Sequence, residues 1–353
     1  MDPLTQAAAA LTLSRLARGR ILTRPVILFL AVAMAPDLDL LSQWVGAETY
    51  LRFHRALLHS IPDAAVVAVV IAAIGWLTQR GDSDTKTGAS IVARLGFFKC
   101  LAICACGIAA HLLLDLCDPV GVQLFWPLRA GWRSWALTTI LDPWILLALV
   151  VCLALGGLFL IASEEIGDHA RTFTWPRRWA VIALLAVAGW FVVRSALHAR
   201  AIQLLSANTY NDLPAQAVGA FPSAITPYEW RGIVSTRDFI AEIDVPLRPL
   251  DAFDPGAGLP HPKPQPSRAL DAAMNTPLAQ TFLRYARFPL ANEQLPESAT
   301  AANPAADAHT IIQVRDLRFP QSFRGANNLI LIVELDAQLN IVREEVDFAH
   351  ARH

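Results

Sequence analysis

Four apolar runs constrain this chain more than anything else in it: Ile61–Leu77, Leu95–Cys117, Ile140–Ala162 and Trp179–Leu197. A helix needs ~20 apolar residues, at ~1.5 Å rise each, to cross the hydrocarbon of a bilayer. Each of these runs is that long or nearly so. The composition agrees, being 54% hydrophobic and only 17% charged, which is membrane-like. The excess is uneven. It fills residues 1–205, whereas 206–353 carries the charge, proline and alternating pattern of a soluble domain.

Two shorter apolar stretches precede these runs. Leu4–Leu16 is alanine-rich, and Val26–Ala35 is apolar throughout; Arg15, Arg18, Arg20 and Arg24 form a basic turn from one to the other. Both limbs are short for a full crossing, so a tight helical hairpin with snorkelling arginines fits best. The expected fold is therefore an α-helical integral membrane bundle of about five to six membrane helices, with a C-terminal, mostly β soluble domain. Asp2 stands where a secretory signal has its basic region, so residues 4–18 are expected to stay in the mature protein. Ser60, with Pro62 and Asp63 behind it, reads as the N-cap of the helix that follows.

Lysines and arginines in short loops mark the cytoplasmic side. The loops with Arg15, Arg18, Arg20 and Arg24, then Arg80, Lys86, Arg94 and Lys99, then Arg171, Arg177 and Arg178 share one side. The other side's short loops hold only Arg52, Arg55, Arg129 and Arg133. This threading places both termini and the soluble domain outside the cytoplasm. It also brings Asp37, Asp39, His54, His59, His111, Asp115 and Asp142 near one non-cytoplasmic face. Ionisable groups beside or within a membrane are costly, and by default they mark a function.

His111 and Asp115 are four apart on a predicted helix, so their side chains stack on one face and reach a common ion. A buried His–Asp hydrogen bond is the alternative. Asp37 and Asp39 are two apart, which in a regular helix points them opposite ways; either the helix ends there or one of them alone is a ligand. Negative charge at a helix C-terminus is unfavourable, and a bound cation relieves it. His54 and His59 add imidazoles. A mixed His and Asp set points to zinc or manganese, as one or two ions, rather than to calcium or a thiolate site. The expected metal ligands are Asp37, Asp39, His54, His59, His111 and Asp115, with Arg55 and Asp39 as catalytic candidates. Arg55 suits an anionic substrate or a developing oxyanion, or equally a lipid headgroup. Asp142, just before Pro143, reads as a helix cap more than a ligand.

Several classes drop out. A net charge of −1 gives no basic field for a nucleic acid partner. Cys100, Cys104, Cys106, Cys117 and Cys152 show no Cys-x-x-Cys pairing and read as apolar fillers. No phosphate loop, nucleophile elbow or His-Glu-x-x-His motif is present. In the C-terminal part Trp230–Ser235, Phe239–Val245, Thr310–Phe319, Asn328–Asp336 and Ile341–Phe348 read as strands, the last two as a hairpin. A proline-rich stretch from Pro246 to Pro266 reads as an extended loop, and Leu278–Arg287 as a short helix or strand.

Taken in order, several motifs resemble one family. Met1-Asp2-Pro3-Leu4-Thr5, Pro36-Asp37-Leu38-Asp39, His54-Arg55 with His59-Ser60, His111 with Asp115, Gly121 to Pro127 and Asp142-Pro143 are similar to the LexA-regulated (LexA-binding) inner-membrane metal-dependent hydrolases. Leu283–Pro289 resembles a tail found in many of them. Two positions depart from the pattern: Gln6 stands where the family has His, and Leu58 where it has Thr. The resemblance implies a multi-pass inner-membrane hydrolase with a divalent metal. Its position implies a lipid, lipid-linked or phosphoester substrate at the outer face. The alternatives are a proton- or metal-conducting transporter, which calls for polar residues through the membrane depth and repeats that are not seen, and an inactive metal-site scaffold.

Overall fold

The computed structural model describes residues 1–16, 24–78, 95–129, 131–165, 174–294, 309–320 and 326–348. Most of the basic loops used above for orientation, with Arg18, Arg20, Arg80, Lys86, Arg94 and Arg171, lie outside the described residues. The chain forms α1 (Pro3–Leu16), α2 (Arg24–Met34), a 3-10 segment (Pro36–Trp44), α3 (Ala47–Phe53), α4 (Ile61–Leu77), α5 (Phe97–Cys117), α6 (Pro143–Glu165) and α7 (Thr174–Ser206). Among the described residues three helices are long and apolar enough to cross a membrane: α5, α6 over Pro143–Ser163, and α7 over Trp175–Ser206. Pro25–Met34 and Pro36–Trp44, bent by 42° at their break, make a fourth if counted as one span. The expected five to six is not reached by length, because α1 has 14 residues and α4 has 17.

Contacts divide the chain into two compact units, Met1–Asp39 with Arg55–Ala196, and Leu40–His54 with Leu197–His353. In the first, Leu28 and Val32 of α2 pack on Ala64, Ala68 and Ala72 of α4 and on Cys100, Cys104 and Ile108 of α5. Alanines at every fourth position leave one smooth face on α4, so neighbouring backbones come close. A Cβ added at Gly107 would lie 2.5 Å from Val32 Cγ1; α2 therefore rests on the backbone of α5 one turn before His111. Four of the five cysteines are buried fillers, and Cys106 is exposed.

Caps set where these helices begin. The Ser60 hydroxyl accepts from the Asp63 N–H at 3.2 Å and starts α4 as expected. Asp142 Oδ1 accepts from the N–H groups of Trp144 and Ile145, both at 3.1 Å, and so caps α6. Its Oδ2 accepts from Trp190 Nε1 at 3.3 Å and lies 3.7 Å from Arg194, tying α6 to α7.

The second unit is built on antiparallel β structure. A ribbon of β1 (Thr209–Tyr210) and β2 (Leu213–Pro214) precedes two four-stranded sheets. The first runs in chain order through β3 (Ala217–Pro222), β4 (Glu229–Ser235), β5 (Phe239–Pro246) and β6 (Leu259–Pro262). The second comprises β7 (Pro289–Gln294), β8 (Thr310–Asp316), β9 (Leu329–Leu335) and β10 (Ile341–Phe348), again adjacent in chain order. Trp230, Ile243 and Val245 close their core with Ala201 and Leu205 of α7. Two helices, α8 (Arg268–Met274) and α9 (Pro277–Tyr285), connect the sheets. The β9–β10 turn is held by Asp336, whose Oδ1 accepts from the N–H groups of Gln338 and Asn340 at 2.9 and 2.8 Å. Within this unit Tyr50 of α3 donates to Asn327 Oδ1 at 2.7 Å.

Candidate metal centre

The first unit gathers Asp37, His59, His111 and Asp115 where α2 and α5 end and α4 begins. Each offers one ligand atom within 4.8 Å of all the others. His59, His111 and Asp115 are buried, and Asp37 is partly so. The break after α2 makes this possible. Beyond Ala35 the chain tightens into the 3-10 segment, at three residues per turn, and its two acids take different partners. Asp37 Oδ1 lies 3.7 Å from His111 Nε2 and 4.0 Å from His59 Nε2. Asp39 Oδ2 instead meets His59 Nδ1 at 3.0 Å and accepts the Arg55 N–H at 2.8 Å.

These outer partners settle the protons on the rings. His111 Nδ1 lies 2.7 Å from the Ala33 carbonyl, which can only accept, so Nδ1 carries the proton. The Asp39 carboxylate does the same for His59 Nδ1. Burial favours the neutral His59 ring, but hydrogen bonds to Asp115 and Asp39 raise its pKa to about 9, so without a metal it holds a second proton, on Nε2; the two Nε2 atoms face each other at 3.1 Å. Asp115 Oδ2 stands 3.1 Å from one and 3.4 Å from the other. Asp115 Oδ2 and Asp37 Oδ2 are also buried with no hydrogen-bond partner among the described residues. Ring nitrogens and carboxylate oxygens packed together out of water repel unless a proton or a metal ion joins them. Ligand atoms of a tetrahedral zinc ion at ~2.0–2.1 Å stand about 3.3 Å apart, close to the contacts among His59, His111 and Asp115, with Asp37 further off at 3.7 and 4.0 Å. The donor set of two imidazoles and two carboxylates thus fits a divalent metal, with Asp39 and the Ala33 carbonyl orienting the rings.

Not every predicted site residue joins the four. Asp39 faces the back of His59. His54 belongs to the second unit, where its ring stacks on Tyr50 at 4.3 Å between centroids. Arg55 is beside the cluster in a left-handed conformation (φ 57°). Its guanidinium is 2.7 Å from Asp118 Oδ2 and 3.7 Å from Asp115 Oδ1. Asp118 was not singled out from the sequence, although it follows His111 and Asp115 at seven and three residues on the same stripe. Its Oδ1 also accepts the N–H groups of Val120 and Gly121 at 2.9 and 3.0 Å. Burial works against ionisation of Asp118, but Arg55, the Met1 α-amino group and the Gly121 N–H together outweigh it and hold the carboxyl below the usual range. Gly121 is required there: its φ is +76°, and a Cβ would lie 2.2 Å from the Arg133 carbonyl oxygen. The Met1 α-amino nitrogen touches Asp115 and lies 2.9 Å from Asp118 Oδ2. Gln6 uses its amide nitrogen here, donating to Asp115 Oδ1 at 3.2 Å and to the His111 carbonyl at 3.3 Å.

A family model described as YdjM inner membrane protein matches residues 1–201 and so covers every residue of this cluster. The chain belongs to that family. Among curated proteins, the uncharacterized protein YfhP of Bacillus subtilis (strain 168) is 25% identical over 130 residues, 37% of this chain and 36% of that protein. The chain therefore matches about a third of this relative's length. No solved structure matches. Family membership makes this an inner-membrane-type protein, in keeping with its long apolar helices.

Proposed function

We propose that the chain is a multi-pass, metal-dependent hydrolase of the inner membrane, with Asp37, His59, His111 and Asp115 holding one divalent ion. The observation that carries this reading is the pair of Nε2 atoms, 3.1 Å apart and out of water, with carboxylate oxygens around them. Nitrogen and carboxylate donors in equal number suit zinc or manganese. Asp118 is taken up by Arg55, which leaves ligands for one ion rather than two. Such an ion supplies Lewis-acid polarisation of an ester or phosphoryl oxygen and acidifies water.

The chain's own residues do the rest. Asp39 keeps the proton of His59 on Nδ1, and the Ala33 carbonyl keeps that of His111 on Nδ1, so both Nε2 atoms stay available. Arg55 holds Asp115 and Asp118 and sets positive charge beside the cluster, where an anionic group of the substrate would be drawn. Asp39 is on this reading a positioning residue. Because the cluster lies at helix ends, the substrate class is lipid, lipid-linked or phosphoester. The short helices α1 and α4 bring the crossings to five or six, and the positive-inside bias of the loops sets the C-terminal β unit outside the cytoplasm.

The test is metal content of the purified full-length protein, followed by a hydrolase screen on ester and phosphoester substrates. Near-stoichiometric zinc or manganese in wild type, lost in both His111→Ala and Asp115→Ala, is the expected result. Wild-type protein without metal, with both variants folded, would turn the site into an inert scaffold.

A further inference from the structure

The second unit contains a cation that its own carboxylates leave unmatched. Arg231, Arg287 and Arg318 gather around Phe221, Phe288 and Tyr285. Arg231 pairs with Glu242 at 2.9 Å and donates to the carbonyls of Leu317, at 2.9 Å, and Arg318. Arg318 pairs with Asp316 at 2.8 Å and donates to the Tyr285 carbonyl at 2.9 Å. Arg287 has neither kind of partner: among the described residues its guanidinium makes no hydrogen bond and no ion pair. It lies 6.0 Å from the ring centre of Phe221 and 5.8 Å from that of Phe288.

Asp316 cannot serve it. Its two oxygens already accept four donors, the N–H groups of Arg287, Phe288 and Arg318 and the Nε–H of Arg318, which is about what a carboxylate can take. Arg287 is exposed, and Arg318 beside it adds like charge that Asp316 only partly opposes, so its guanidinium is open to an anion from outside. An outside anion would relieve this cation.

The depth of the group in the membrane follows from α7. The apolar run Trp179–Leu197 covers ~28 Å as a helix, close to the ~30 Å of a bilayer's hydrocarbon. It ends at Leu197, and the next residue, His198, is near enough to Arg287 to feel its charge. The His198 ring packs on Trp230 at 5.5 Å, and its Nε2 is buried without a hydrogen-bond partner among the described residues. If the apolar run fills the hydrocarbon, Arg287, close in space to His198, stands at about headgroup level. Its planar fork suits a phosphate, and aromatic rings of the kind behind it are common at that level.

We propose that Arg287, backed by the faces of Phe221 and Phe288, binds the phosphate of an anionic phospholipid headgroup. This site is independent of the metal centre and does not require hydrolase activity. The test uses full-length protein in nanodiscs of equal parts phosphatidylglycerol and phosphatidylcholine, released for native mass spectrometry, with the lipid retained by each variant counted. Arg287→Gln is expected to retain about fivefold less phosphatidylglycerol than wild type, with a smaller loss of phosphatidylcholine, whose choline charge offsets its phosphate. Arg287→Lys, which keeps the charge and the fold but loses the fork, should fall in between. Arg248→Gln removes an exposed arginine paired with Glu229 in the same unit and should match wild type. Wild-type retention in both Arg287 variants overturns the proposal, as does an equal loss in Arg248→Gln. Displacement of the lipid by excess inorganic phosphate overturns it as well, since the site would then be one for a free anion.

Discussion

Asp39 acts on the cluster from behind, and that makes it the most informative residue to change. Its Oδ2 meets both His59 Nδ1 and the Arg55 N–H, so it fixes the ring's tautomer and the left-handed turn at Arg55 together. Removing such an outer partner weakens metal binding by roughly 10–100-fold without abolishing it. Asp39→Asn should therefore keep one metal at saturation yet release it to a weaker chelator than wild type does, measured by competitive titration; an unchanged affinity would remove Asp39 from the site. Little of this division of labour was legible in the sequence. The spacing of Asp37 and Asp39 says that they cannot both face one point from a regular helix, but not which one turns inward. His54 and His59 looked alike on paper, and the turn sends one to the cluster and the other onto Tyr50.

At the scale of elements, the close seat of α2 on α5 carries the geometry of the site. Val32 is β-branched and stiff, and its Cγ1 occupies the space that a side chain at Gly107 would need. Gly107→Val should lower stability by ~1–3 kcal/mol through overpacking and, with His111 one turn further on, reduce bound metal as well. A thermal melt with parallel metal analysis checks both, and a variant with wild-type melting and full metal would mean that α2 and α5 separate easily. The elements themselves were far more legible. Strands β4, β5, β8, β9 and β10 fall where alternation of apolar residues places them, and Ser60 and Asp142 cap α4 and α6 as their positions suggest. What escaped was short or proline-bound: β6 lies inside the proline-rich stretch, paired to β5 as an edge strand, where proline's missing N–H is tolerated. Leu278–Arg287, ambiguous between helix and strand, is α9 up to Tyr285, and Thr276 caps it by accepting the Ala279 N–H at 3.1 Å.

For the whole molecule, the chain passes from one unit to the other at 39/40, 54/55 and 196/197. The first two of these adjoin Asp39 and Arg55, both beside the candidate metal cluster. Placement of the C-terminal unit outside the cytoplasm is open to direct measurement. Leu250 is 97% exposed in that unit, so Leu250→Cys should react with an impermeant maleimide in spheroplasts before permeabilisation; labelling only afterwards would reverse the topology. Segregation of apolar runs into residues 1–205, the strand pattern beyond them and the gathering of acids and imidazoles at helix ends were determined by the sequence alone, because hydropathy and residue spacing are local properties. Only the tertiary structure decided which side chains share a point in space. The proton on His111 is set by a carbonyl at Ala33, 78 residues away, and the charge of Arg55 is directed by Asp118 across 63. Such pairings depend on how helices pack and where turns reverse, and no periodicity along the chain encodes them.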